Sequence, residues 1–199
     1  DLGADEHVAQ RYVVFDIDDT VRPEIGRQPA DRQARPAERA HLQTPPPAQA
    51  GGTPEPYDVA GDLKKPGLKV FHVQDIDFRS HHLLFVDCLK ELKQWSKNHP
   101  DHLPIVITIN AKDSDAEGLQ KMLTFTHDAL DSIDLEIQSV FDAHHLITPD
   151  LVRGDAGSLE QAVLKHGWPL IAEVKGRFLF VLDETGEKQE AYKKHHPSL

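Results

Sequence analysis

Hydrophobic positions along the chain come in two textures, ordered periodic blocks and one long aperiodic stretch. Tyr12-Val13-Val14-Phe15-Asp16-Ile17 reads as a buried strand running into the carboxylates Asp16, Asp18 and Asp19. From about Val21 to Pro66 the period vanishes. That stretch is rich in Pro, Arg, Gln and Ala, with Pro45-Pro46-Pro47 and Gly51-Gly52. Too little apolar surface is available there to offset ordering entropy, so residues 21–66 are expected to form an irregular insertion. Order resumes with a strand over Leu68–Val73, which leads through His72 to Gln74, Asp75 and Asp77. A helix over about His82–Lys97 follows. Phe85, Cys88, Leu89, Leu92 and Trp95 recur at helical spacing, Lys90, Glu91, Lys93 and Gln94 fall outward, and Pro100 ends it. Pro104–Asn110 reads as a strand apolar on both faces, as in a buried parallel sheet. A helical region over about Asp115–Phe141 is expected to break in its middle. Ser158 is placed to cap a short helix to Lys165 that Gly167 closes, and Arg177–Asp183 is the last strand.

Strands alternating with helices imply an α/β domain with a parallel sheet and right-handed crossovers. Four such strands suit part of a (β/α) barrel or an open doubly wound sheet. Either architecture puts its site at the C-terminal strand ends. The 199 residues are read as one domain with the insertion inside it.

Charge narrows the partners. Asp and Glu number 33 against 22 Lys and Arg, a formal charge of −11. Such a surface repels nucleic acid, and no basic stripe with interleaved aromatics offsets it. An anionic substrate would need a metal cation or local basic groups. No apolar run approaches the roughly 20 residues of a spanning helix. Cys88 is the only cysteine, so no internal disulfide forms. Residues 1–20 lack a basic stretch followed by an apolar one, and the chain reads as mature or truncated, which leaves the compartment open.

Two resemblances compete for the chemistry. Apolar residues followed by Asp16-Ile17-Asp18-Asp19-Thr20 resemble the first motif of haloacid-dehalogenase-type phosphatases. That likeness implies attack on phosphorus by Asp16, acid/base work by Asp18, and magnesium. The segment Leu63-Lys64-Lys65-Pro66-Gly67-Leu68-Lys69-Val70-Phe71-His72-Val73-Gln74-Asp75-Ile76-Asp77-Phe78-Arg79-Ser80 resembles the calcium-dependent phosphoinositide phospholipases C of bacterial type. Further blocks follow in order: Phe85-Val86-Asp87-Cys88-Leu89, Trp95-Ser96, Pro100-Asp101-His102-Leu103-Pro104-Ile105 and Asn110-Ala111-Lys112-Asp113. Leu146-Ile147-Thr148-Pro149-Asp150-Leu151-Val152-Arg153-Gly154, Gly167-Trp168-Pro169 and Lys175-Gly176-Arg177-Phe178-Leu179-Phe180-Val181-Leu182-Asp183 complete the set. This second likeness spans about residues 57–185 plus the strand at 11–18, and its separate motifs make it the more specific.

That resemblance implies a distorted (β/α)8 barrel of the TIM type, here incomplete, without its first strand, the histidine motif that strand carries, and its last strands. It implies cleavage of a phosphatidylinositol-type lipid at a membrane surface, by attack of the inositol 2-hydroxyl on phosphorus, with Ca2+ as cofactor and a secreted or extracytoplasmic location. His72 matches a catalytic histidine that stabilises the phosphorane and protonates oxygen. Asp16 and Asp18 lie two apart, hence on one face of a strand, and match calcium ligands. In another register Val14 and Asp16 take those positions. Asn110 stands where relatives place a further ligand, and offers a carbonyl oxygen without charge. Lys112, Asp75, Asp77 and Arg79 are candidate contacts to phosphate or headgroup hydroxyls. Lys112 has a plainer reading as a solvated loop lysine, and Arg79 as a neutraliser of the acids beside it. His81-His82 and His144-His145 lack zinc-site spacing and read as surface histidines. Trp168 reads as a packing residue at a helix exit. A truncated or degenerate relative without turnover is the non-enzymatic alternative.

Overall fold

In the computed structural model, which describes the backbone of residues 12–17 together with residues 58–73, 80–114, 117, 119 and 121–196, four strands share one sheet. They are β1 (Tyr12–Ile17), β2 (Lys69–Val70), β3 (Ile105–Lys112) and β4 (Phe178–Leu182), in the spatial order β2–β1–β3–β4. β1 and β2 run parallel, with Val13 beside Val70, and β3 and β4 run parallel, with Ile105 beside Phe178. β1 and β3 are antiparallel, Tyr12 facing Lys112 and Ile17 facing Ile107. This corrects the wholly parallel sheet expected from sequence. The alternation fixes the direction only of strands that pair after a crossover; β2 and β3, joined through the helix Phe85–Asn98, do not pair and run in opposite directions, with β1 between them.

Among the described residues six helices accompany the sheet: α1 (Phe85–Asn98), α2 (His127–Val140), α3 (Pro149–Arg153), α4 (Leu159–His166), α5 (Ile171–Val174) and α6 (Glu187–His195), with 3-10 turns at Asp62–Lys64 and Ala143–His145. The core forms where apolar periods coincide. β3 buries Ile105, Ile107, Ile109 and Ala111, every second residue, while Val106, Thr108, Asn110 and Lys112 stay half-buried. The strand therefore has one covered face, not the two expected. Over that face lie Phe85, Leu89 and Leu92 of α1 and Ala129, Leu130, Ile133 and Ile137 of α2, with Phe125, Phe141 and Phe178 filling between them. Each of the Leu, Ile and Phe side chains contributes roughly 1.5–3 kcal/mol through removal from water.

Local signals set several boundaries. Ser158 Oγ accepts from the Gln161 amide at 3.2 Å to start α4, and Gly167 ends it at φ +78°. Thr148 Oγ1 accepts from the Leu151 amide at 3.2 Å, with Pro149 at the first position of α3. His102, buried in the α1–β3 turn, donates from Nδ1 to the Leu103 carbonyl at 2.6 Å, which leaves Nε2 to accept from Ser96 Oγ at 2.8 Å.

Other expectations shift. β2 is two residues long, and the helix expected from about residue 115 begins at His127. Trp168 is 58% exposed and does not pack. Residues 21–57 of the irregular stretch lie outside the described residues, and its last part holds the turn at Asp62–Lys64.

Candidate functional site

The candidate residues map onto neighbouring strands. His72 follows β2 by two residues and is exposed. Asp16 lies on β1, the strand between β2 and β3, in register with Thr108. Asn110 is two residues further along β3 and faces Val14. Lys112 closes β3, half-buried and opposite Tyr12. Asp18, Asp75, Asp77 and Arg79 lie outside the described residues. β1 thus stands between the His72 and Asn110 strands, while its own direction carries the chain from Tyr12 toward the start of β3.

Side-chain geometry is richest at the C-terminal ends of β3 and β4. Asn110 Nδ2 donates to the Asp183 carbonyl at 3.1 Å and to Asp183 Oδ2 at 3.0 Å. Next to this pair, Lys188 of α6 donates to the Ala111 carbonyl at 2.6 Å and lies 2.6 Å from Asp113 Oδ1 and 3.3 Å from Glu184 Oε2. The free oxygens of both acids accept backbone N–H groups, Asp113 from Phe125 at 2.9 Å and Glu184 from Ala111 at 2.6 Å. Sequence reading missed Glu184 and Lys188. Their only signal was position, just past the end of an expected strand.

Calcium takes six to eight oxygens from carboxylates, carbonyls and water. The described end of the sheet does not fit it. Asp113 and Glu184 are committed to backbone amides and to Lys188, Asp183 is held by Asn110, and no group of three or more His, Cys, Asp or Glu among the described residues is arranged to hold a metal ion. One histidine of each pair has an ordinary carboxylate partner, His82 hydrogen-bonding Glu91 and His145 hydrogen-bonding Asp142 at 2.9 Å. The latter holds the Asp142 carboxyl below its usual range. Cys88 is free, and burial pushes its thiol up to about 11, too high for an active nucleophile. No described helix is long and apolar enough to cross a membrane.

Among curated proteins no match was found. A similar solved structure is a Ca2+-dependent phosphatidylinositol-specific phospholipase C from Streptomyces antibioticus, at 24% identity and a TM-score of 0.45. The similarity covers 59% of this chain and 38% of that one, so the chain spans well under half the length of that enzyme. Residues 33–199 match the family of Ca2+-dependent phosphoinositide phospholipases C, a range that takes in His72, Asn110 and Lys112 and begins after Asp16 and Asp18. With most of its length inside that match, the chain belongs to the Ca2+-dependent phosphoinositide phospholipase C family.

Proposed function

We propose that the protein carrying this chain cleaves phosphatidylinositol-type phospholipids at a membrane surface, the inositol 2-hydroxyl attacking the adjacent phosphorus to release diacylglycerol and a cyclic phosphate. His72 stabilises charge on the phosphorane and gives a proton to the departing oxygen. Asp16, Asp18 and Asn110 are the proposed calcium ligands, and Lys112, Asp75, Asp77 and Arg79 the contacts to the headgroup. Beyond family membership, one observation carries this reading: the strand bearing Asp16 lies between the strand that leads to His72 and the strand bearing Asn110.

The sheet is proposed to be part of a distorted TIM-type barrel that includes residues 1–199 and lacks its first and last strands. The parallel pairs β1–β2 and β3–β4 support this, and the antiparallel junction between them departs from it. A secreted or extracytoplasmic protein, with this chain as an inactive fragment of it, completes the proposal.

Cyclic inositol phosphate released from phosphatidylinositol vesicles by the full-length gene product tests the proposal. Release is expected with calcium, is lost on chelation, and falls by about 100-fold or more in His72→Leu. Equal turnover after chelation overturns it. Absence of turnover under every condition favours a degenerate, non-catalytic relative. The observation that favours this second reading is Asn110, an uncharged residue whose amide is already committed to Asp183.

A further inference from the structure

Lys188 lies in the first turn of α6, a helix that buries none of its side chains. Its ammonium reaches three oxygens, the Ala111 carbonyl at 2.6 Å, Asp113 Oδ1 at 2.6 Å and Glu184 Oε2 at 3.3 Å. The two carboxylates are well enclosed, their side chains 12% and 14% exposed, and each is fixed from behind by a backbone amide. Neither can swing out to water without giving up that bond. Two enclosed carboxylates sharing one space are costly unless a cation lies between them. Carbonyl and carboxylate oxygens together are a hard-cation donor set.

We infer that Lys188 is the resident cation of this cage and excludes metal ions from the space between the Ala111 carbonyl, Asp113 and Glu184. The side chain supplies internally the positive charge that two enclosed carboxylates require, one residue beyond Asn110. The exclusion follows from geometry, because an ion at the centre of the three oxygens would occupy the position of the ammonium. Removing the amine while keeping the oxygens should convert the cage into a divalent-cation site. Only the choice of calcium as competitor rests on the family reading.

The test titrates the 199-residue chain with calcium, and with terbium as a luminescent stand-in, in three forms: unchanged, Lys188→Met, and Lys188→Met with Glu184→Gln. Lys188→Met is expected to take up one more equivalent of ion than the unchanged chain, and the added Glu184→Gln to abolish that gain. Equal uptake by the unchanged chain and Lys188→Met overturns the inference. Should Lys188→Met fail to fold, Glu184→Gln alone decides. Unchanged calcium uptake supports an amine-filled cage, whereas lost uptake shows that the cage already holds metal and overturns it. These readouts involve no lipid, so a failure of phosphatidylinositol cleavage and a failure of this inference are separate results.

Discussion

Asn110 grips Asp183 twice, through its carbonyl at 3.1 Å and its carboxylate at 3.0 Å, and so ties the end of β3 to the residue that follows β4. The contact needs a neutral donor. Asn110→Asp sets a second carboxylate against the first, and like charges at that distance raise one of the two pKa values. The expected loss is about 1 kcal/mol at pH 7, modest because Asp183 is exposed, and it shrinks as the pH falls through the carboxylate range. Urea denaturation at pH 7 and pH 4 checks it. A loss independent of pH would trace the defect to shape instead of charge.

Gly176 joins α5 to β4 at φ +73°, its N–H donating to the His102 carbonyl at 2.9 Å. A Cβ there would stand 2.8 Å from the Pro100 carbonyl oxygen. Gly176→Ala therefore meets both left-handed strain and a backbone clash. Its expected cost is about 2 kcal/mol or more. Gly61→Ala is the control, with φ +68° and open space around the added carbon, for which about 1 kcal/mol is expected. Similar melting temperatures for the two variants would remove the Pro100 contact from the account.

Stability should also respond to pH through Glu136, which reaches from α2 to accept the Leu68 amide at 2.7 Å. Burial raises its carboxyl above the ordinary value of 4.5, against the opposing effects of the Leu68 amide and the Lys69 ammonium. A raised carboxyl pKa means that the folded protein holds the proton more tightly than the unfolded chain. The resulting stability is complete below pH 4.5 and is lost as pH climbs through the folded value. Asp134, also raised by burial, acts in the same direction. In Glu136→Gln the Asp134 contribution remains, so the difference between the two stability profiles isolates Glu136. The unchanged protein should lose stability relative to Glu136→Gln from about pH 4.5 to pH 7; parallel profiles would contradict this.

Tyr192 donates its hydroxyl to Asp134 Oδ2 at 2.7 Å, where burial and that carboxylate raise the phenol pKa. No side chain of α6 is fully buried, the Tyr192 ring packs against the edge of the core, and this bond and the Lys188 cage add polar attachment. Tyr192→Phe is expected to cost about 1–2 kcal/mol, since it leaves a half-buried carboxylate short of a donor. Hydrogen exchange should quicken in the amides of 187–195 and hardly change in β3. Uniform acceleration would instead indicate a global effect.

Elements that carry their own apolar period were legible from sequence. α1 is one, with Phe85, Leu89 and Leu92 on its inner side, and α4 is another, framed by Ser158 and Gly167. β3 and β4 were found as well, although the polar alternates Thr108 and Asn110 already signalled that β3 has one half-open face. α6 escaped because Ala191 and Tyr192 are its only apolar residues, too few for a hydrophobic period, so that one packed ring and several polar contacts hold it. The direction of β1 is likewise a tertiary fact, absent from any local spacing. At the candidate site, His72 follows β2 and Asn110 lies two residues before the end of β3, strands that run in opposite directions, and Asp113, Glu184 and Lys188 meet across more than seventy residues of chain. His102, part of one quoted motif, is a structural histidine, bonded on both ring nitrogens.

The six residues of β1 pair with a strand about a hundred positions downstream, Tyr12 with Lys112 and Ile17 with Ile107. Closing so large a loop costs entropy that no local contact refunds in advance. The β3–α2–β4 half, whose pieces are near in sequence, is thus free to assemble first, with the amino-terminal ribbon zipping onto an edge already formed. Pulse-labelled amides of 12–17 should accordingly gain protection after those of 105–112.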